Sequence, residues 1–118
     1  MLGSGVWLGD RCTLVASGEL RIGAGSLVGP ESVLSAAQSI SIGERCLLGD
    51  EVMVSDSALN IEDALRADGE RPVTVRPVVV GDGARVGPRA CVLAGSRVGA
   101  AAVVGPREVV VGAIERQL

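Results

Sequence analysis

The segment VGDGARVGPRACV, Val80–Val92, decides the fold of this 118-residue chain. It contains one six-residue unit twice: an aliphatic residue, a glycine, two variable residues, a small residue and one more variable residue. Working outward, an aliphatic residue followed by glycine occurs at Leu2, Leu8, Ile22, Val28, Ile42, Leu48, Val80, Val86, Val98 and Val104. Such a repeat indicates a solenoid, in which each unit packs only against its neighbours.

The units occur in groups of three, which repeat every 20 residues before the segment 54–77 and every 18 after it. Aligning the groups gives three columns of branched aliphatics: Leu2, Ile22, Ile42, Val80 and Val98; Leu8, Val28, Leu48, Val86 and Val104; Leu14, Leu34, Val54, Val92 and Val110. Stacked strands about 4.8 Å apart would place each column inside a prism. The pattern therefore predicts an all-β, three-sided parallel β-helix of about five coils, with each glycine in a tight turn.

Composition narrows the possible functions. The net charge is −3 and the basic residues, all arginines, are scattered singly, so the chain has no nucleic-acid footprint. No apolar run is long enough to span a membrane, and because the N-terminal residues lack a charged segment followed by a hydrophobic one, we expect no signal peptide. Three cysteines without a CxxC pair, in a chain without histidine, do not indicate a zinc site or any other metal site. We expect a cytoplasmic protein.

The organisation predicted is a single domain, residues 1–118, with coils at 2–59 and 78–113 and a protruding loop at 59–77. Inside the loop, NIEDALRADG reads as a short helix that Asn60 caps and Gly69 ends. At the other end of the chain, AIERQL, residues 113–118, is predicted to form a short C-terminal helix that lies over the last coil.

The repeat resembles the hexapeptide-repeat acyltransferases. Residues Val75–Val110 are similar to the C-terminal coils of maltose-, galactoside-, nodulation- and capsule-type O-acetyltransferases, and ISIGERCLLGDEVMVSDS, Ile40–Ser57, is similar to the coil before their active-site loop. The resemblance implies a left-handed β-helix and acetyl transfer from acetyl-CoA, as co-substrate, to a saccharide or small amine. It also implies a homotrimer with the donor bound between subunits.

In the resembling enzymes the loop carries a catalytic histidine, which aligns here with Leu59 or Asn60. Acyl transfer to a hydroxyl needs a general base, and histidine suits that task because its pKa lies near neutrality. The catalytic candidates that remain are Asn60, Asp56 and Asp63. An exposed carboxylate is a weak base unless burial raises its pKa.

Three hypotheses follow. In the first, the chain is an acyltransferase for amines. A fraction of an amine is already unprotonated, so a hydrogen bond with Asn60 or with the Asp56 carboxylate would suffice in place of a general base. Alternatively, it is an O-acyltransferase that uses Asp56 or Asp63 as its base. The third hypothesis, from a different class, is a catalytically degenerate β-helix that serves as a scaffold or assembly subunit.

The resemblance also implies donor-binding positions: Pro88, Gly95, Pro106, Arg107 and Arg116. The two arginines would contact phosphate. Neither proline has a backbone N–H that could donate a hydrogen bond to acetyl-CoA.

Outward residues suggest contacts between subunits. Val33, Leu47, Met53 and Val103 would form flat apolar surfaces. Trp7 would lie at an interface, cover the open end of the prism or stack on an adenine. The first coil would leave backbone groups unpaired, so a partner chain over this N-terminal coil is also expected.

Overall fold

The computed structural model describes residues 1–59 and 73–117, and these form a parallel β-solenoid with three faces. Face 1 consists of β1 (Trp7–Leu8), β4 (Leu27–Val28), β7 (Leu47–Leu48), β12 (Arg85–Val86) and β15 (Val103–Val104). Face 2 consists of β2 (Thr13–Ala16), β5 (Val33–Ala36), β8 (Met53–Ser55), β13 (Cys91–Val92) and β16 (Val109–Val110). Face 3 consists of β3 (Glu19–Ile22), β6 (Ser39–Ile42), β11 (Val78–Val80), β14 (Arg97–Val98) and β17 (Ala113–Ile114). The predicted all-β solenoid of about five coils is confirmed.

The strand register reproduces the three predicted columns. On face 3, for example, Ile22 pairs with Ile42, which pairs with Val80 of the next coil. The inward residues of the inner coils are almost completely buried, and they form one continuous aliphatic core. This core stabilises the fold by removing apolar surface from water along the whole prism.

The glycine that follows each aliphatic residue has a different cause from the one predicted. Gly3, Gly23 and Gly81 do not have a positive φ. A Cβ on Gly81 would lie 2.6 Å from the backbone nitrogen of Ala100 in the next coil. Stacked backbones approach each other too closely here for any side chain, and that approach is why glycine recurs. The expectation of a tight turn at these glycines is wrong.

The turns of the prism lie two residues later. Gly5, Gly25, Gly83 and Gly95 have positive φ, and seven non-glycine residues occupy the equivalent left-handed position: Arg11, Glu31, Arg45, Glu51, Arg89, Ala101 and Arg107. A positive φ is uncommon for such residues. Except for Arg11 in the first coil, each of them donates its backbone N–H to a carbonyl of the preceding coil; the N–H of Arg89, for instance, donates to the Asp50 carbonyl at 2.9 Å.

The last residues continue the solenoid instead of forming the predicted C-terminal helix. Ala113 and Ile114 pair in parallel with Arg97 and Val98, which extends the first aliphatic column by one residue. Residues 115–117 are irregular, and within the described residues the structure contains no helix. The prediction of a helix here is wrong because Ile114 can pack against the open end of the core.

The chain leaves the prism where face 2 should give way to face 3. β9 (Ser57–Leu59) pairs antiparallel with β10 (Val73–Val75) instead of joining a face. These two strands are the base of the loop, and its middle, including the predicted helix at 60–69, lies outside the described residues. In residues 1–59 and 73–117, no helix is long and apolar enough to cross a membrane.

Candidate functional site

The base of the β9–β10 hairpin is centred on Asp56. Its side chain is completely buried, and its carboxylate accepts hydrogen bonds from the backbone N–H groups of Ala37, Gln38 and Ser39 at 2.8, 2.7 and 2.8 Å. The side-chain oxygen Oγ of Ser57 lies 3.5 Å from Oδ1. Both carboxylate oxygens therefore have partners inside the protein.

Burial alone would raise the pKa of Asp56, but hydrogen bonds from the backbone N–H groups of Ala37, Gln38 and Ser39 outweigh it and lower the pKa. Such donors favour the charged form of a carboxyl group. An ionised carboxylate with a lowered pKa has little tendency to take a proton from a hydroxyl at neutral pH. This environment argues against the use of Asp56 as the base of an O-acyltransferase.

Arg76 connects Asp56 to a predicted donor-binding residue, and the sequence analysis did not identify it. Its backbone N–H donates to the Asp56 carbonyl at 2.9 Å, and its own carbonyl accepts from the N–H of Gly95 at 3.2 Å. The Arg76 side chain also covers Gly95, since a Cβ on that glycine would lie 3.3 Å from Arg76 Cδ. The position of Arg76 just before Pro77, where the loop returns, is the only sequence signal for this role.

Three of the predicted donor-binding residues occupy the corner between faces 1 and 2. Pro88 and Pro106 lie at the same position of adjacent coils, and the N–H of Arg107 donates to the Pro88 carbonyl at 2.9 Å. Both prolines and Arg107 are exposed. The corner presents a guanidinium group to solvent, but the prolines contribute no N–H to a ligand.

Arg116 lies at the C-terminal end of the prism, where its backbone carbonyl accepts from Val103 N at 2.8 Å. Its guanidinium forms an ion pair with Glu108. That side-chain hydrogen bond from Arg116, with a second bond from the N–H of Gly105, lowers the pKa of Glu108. In this arrangement Arg116 holds the chain end against the last coil.

Apart from Arg116, which pairs with Glu108, the predicted site residues that the structure describes form two groups. Asp56 and Gly95 are joined through Arg76 at the base of the hairpin, whereas Pro88, Pro106 and Arg107 share a corner. The other two catalytic candidates, Asn60 and Asp63, lie outside the described residues. A shallow depression lined by Gly83, Arg85, Ala101, Val103 and Gln117 contains none of the predicted donor-binding residues.

Two of the three faces present apolar side chains to the outside. On face 1, Trp7, Leu27 and Leu47 stack directly above one another, and each is at least 40% exposed. On face 2, Val33, Met53, Cys91 and Val109 form a second outward column, and none of the residues in the five strands of this face is charged. Face 3 instead carries Glu19, Arg21 and Arg97 among its outward residues.

The three cysteines are free thiols. Cys46 is buried at a corner, and its Sγ donates to the Gly81 carbonyl at 3.1 Å. Burial raises the pKa of the Cys46 thiol, and hydrogen bonds with the backbone of Ala84 and the side chain of Ser26 offset only part of that rise. Cys46 is therefore suited to filling the wall and not to nucleophilic chemistry.

No family model matches the chain, and no curated protein matches it. Among solved structures, a hexapeptide-repeat acetyltransferase from Vibrio cholerae in complex with acetyl-CoA is similar with a TM-score of 0.84 and 20% identity, covering 95% of this chain and 60% of that one. A maltose O-acetyltransferase from Clostridium difficile is similar with a TM-score of 0.81 and 20% identity, covering 96% and 59%. The N-acyltransferase AntD from Bacillus cereus, a mutant in complex with dTDP and coenzyme A, gives a TM-score of 0.77 and 12% identity, covering 97% and 74%.

This chain thus spans about 60% of the length of the first two structures. At these identities the likeness concerns the fold, and it extends over nearly the whole chain. The sequence resemblance inferred from the six-residue units agrees with it. The chain has the β-solenoid fold of the hexapeptide-repeat acyltransferases.

Proposed function

We propose that the chain is a CoA-dependent acyltransferase that uses acetyl-CoA as co-substrate. The observation that carries the proposal is the similarity, over 95% of the chain, to a hexapeptide-repeat acetyltransferase bound to acetyl-CoA. The exposed Arg107 at the corner of the last coils offers a cation to a donor phosphate, a contact that arginine makes well. No metal takes part in the reaction proposed.

Between the two enzymatic hypotheses, an amine acceptor is favoured over a hydroxyl. The chain contains no histidine, and the Asp56 carboxylate is buried, ionised and already bonded to three N–H groups. An amine depends less on a general base than a hydroxyl does, because a fraction of the amine molecules is unprotonated and nucleophilic near neutral pH. AntD provides a precedent for N-acylation on this fold. Asn60 and Asp63 remain the candidates on the loop that would contact the acceptor, which we place among small amines and amino sugars.

The proposed assembly is a cytoplasmic homotrimer. A ring of three copies brings one surface of each subunit against a different surface of the next, so it needs two complementary patches per chain. The apolar columns on faces 1 and 2 are two such patches, with Trp7 at the end of the first. Leu2 and Leu8, the inward residues of the first coil, are only partly covered, and they support the proposed partner chain over this coil.

The experiment that tests the proposal is titration of the purified protein with acetyl-CoA by calorimetry, with its mass in solution measured by light scattering. We expect micromolar binding by a trimer. A panel of amines and hydroxyl compounds is then assayed for acetylated product by mass spectrometry, and we expect product from amines first. A chain that binds no acetyl-CoA at millimolar concentration is not an acyltransferase.

A non-catalytic scaffold is the second candidate function. It is supported by the prolines at 88 and 106, which remove two N–H groups from the proposed donor site, and by the engagement of Arg116 with Glu108. A trimer that binds neither acetyl-CoA nor coenzyme A would favour this function, and the β9–β10 hairpin would then be tested for binding to partner proteins.

A further inference from the structure

In the first two coils, the corner between faces 2 and 3 is held by backbone hydrogen bonds to the coil below. The N–H groups of Ser17 and Gly18 donate to the Ala36 carbonyl at 3.0 and 3.1 Å, and the N–H of Glu19 donates to the Gln38 carbonyl at 2.9 Å. Three amides of one coil are thus satisfied by two carbonyl oxygens of the next.

One coil later the same three positions are Ala37, Gln38 and Ser39. The third coil has no corner between faces 2 and 3, so it has no backbone carbonyls there to accept their hydrogen bonds. After face 2 its chain turns into β9 and leaves the prism. The three amides donate instead to Oδ1 and Oδ2 of Asp56, which occupies the position equivalent to Ala36. A carboxylate supplies two acceptor oxygens on one side chain, as the two backbone carbonyls did.

We infer that Asp56 is a positioning residue: its carboxylate replaces the missing corner of the third coil and thereby fixes where the β9–β10 hairpin leaves the prism. Without it, three amides would lose their acceptors within the protein, and the cost in free energy should be greatest for Ser39, the least exposed of the three residues. The inference rests on the proposed function only in assigning acceptor binding to the segment that the hairpin carries.

The backbone of the same residue holds both strands of the hairpin. Asp56 N–H donates to the Ser35 carbonyl at 3.4 Å, and its carbonyl accepts from Arg76 N–H at 2.9 Å, directly after β10. The departure and the return of the chain are therefore attached at one residue. Arg76 in turn accepts from the N–H of Gly95, so the returning chain is also attached to the corner of the fourth coil.

The first test uses the wild-type protein. Scalar couplings across hydrogen bonds, measured by NMR, should connect the amide nitrogens of Ala37, Gln38 and Ser39 with Cγ of Asp56. Their absence, in spectra that show the couplings of ordinary strand hydrogen bonds, would overturn the inference, whether or not any variant folds.

The second test is hydrogen exchange in Asp56→Asn. An amide side chain retains one acceptor oxygen and places an NH2 group towards the donors, so we expect the amides of residues 37–39 and of β9 and β10 to exchange about tenfold faster or more. The amides of the fourth and fifth coils should be unaffected. Asp82→Asn is the matched control, because Asp82 Oδ1 also accepts from a backbone N–H of the preceding coil, that of Glu44 at 2.8 Å, but away from the hairpin.

Unchanged exchange at residues 37–39 in Asp56→Asn, or equal acceleration throughout all coils, would contradict the positioning role. If the protein is an acyltransferase, Asp56→Asn should raise KM for the acceptor and leave KM for acetyl-CoA unchanged. Failure of the proposed function would remove only this kinetic readout, and the couplings and exchange rates would still decide the role of Asp56.

Discussion

The backbone N–H of Gln38 donates a 2.7 Å hydrogen bond to Oδ2 of Asp56, 18 residues later in the chain. Two adjacent amides make equivalent bonds to the same carboxylate. The stability of the hairpin base is therefore coupled to the charge on one buried side chain, and this coupling gives the first prediction.

The contribution of Asp56 to stability should depend on pH. Its pKa in the folded protein lies below its ordinary value of 3.8, so the unfolded chain takes up the proton first as the pH falls. The stabilisation is fully present above about pH 4 and is lost as the pH falls through the folded pKa. In urea unfolding we expect Asp56→Asn to be less stable than wild type by about 1.5–3 kcal/mol at pH 7, and by less at pH 3. A difference that stays constant with pH would contradict this.

Two neighbouring glycines should respond very differently to substitution by alanine. At Gly81, a Cβ would lie within 3 Å of the Ala100 backbone, so Gly81→Ala must separate two coils and should cost about 3 kcal/mol or more. Gly83 has a φ of +70° and no atoms within 4 Å of its Cβ position, so Gly83→Ala should cost only the strain of its left-handed backbone, about 1 kcal/mol. Chemical denaturation measures both, and equal losses would show that close approach does not explain the repeated glycine.

The apolar column on face 1 should be required for assembly. Leu47→Arg places a charge in the middle of the column, between Leu27 and Arg85, where a partner subunit would have to bury it. We expect light scattering to show monomers. Val79→Arg on face 3, at a residue with similar exposure, is the control and should remain a trimer. A trimeric Leu47→Arg protein would mean that the subunits meet elsewhere.

Arg107 should contribute to donor binding, whereas a matched arginine should not. Arg107 and Arg11 are both exposed, both have a φ near +60°, and both occupy the corner between faces 1 and 2, in the last and first coils. Loss of a charge-assisted hydrogen bond to phosphate should weaken acetyl-CoA binding about tenfold or more in Arg107→Ala. Calorimetry on both variants tests this, and equal affinities for the two would remove Arg107 from the donor site.

The sequence predicted the inside of the molecule better than its turns and ends. Columns such as Ile22, Ile42 and Val80 could be read from spacing alone, because every coil repeats the same backbone and buries the same position. The reason for Gly81 could not be read this way, since both a tight turn and a close approach of backbones favour glycine. The C-terminal helix prediction failed because the sequence of residues 113–118 does not show that an aliphatic column lies open beneath Ile114.

The site was predicted less well, for a physical reason. Asp56 was selected as a candidate base from its place beside the loop, but its role depends on three amides that only coil stacking brings to it. Arg76 was missed because its hydrogen bonds to Asp56 and Gly95 are made by its backbone. Backbone hydrogen bonds of this kind can be made by almost any residue type, so the sequence does not reveal them.

The uniform columns of the core have a consequence for how the chain finds its correct alignment. If the chain slipped by one complete coil during folding, aliphatic residues would still stack on aliphatic residues in every column, at little cost in packing. The hydrophobic core therefore distinguishes poorly between the native alignment and a slipped one. Asp56 distinguishes them, because only the native alignment brings its carboxylate to Ala37, Gln38 and Ser39. The Asp56 side chain thus helps to specify the register in which the repetitive coils stack.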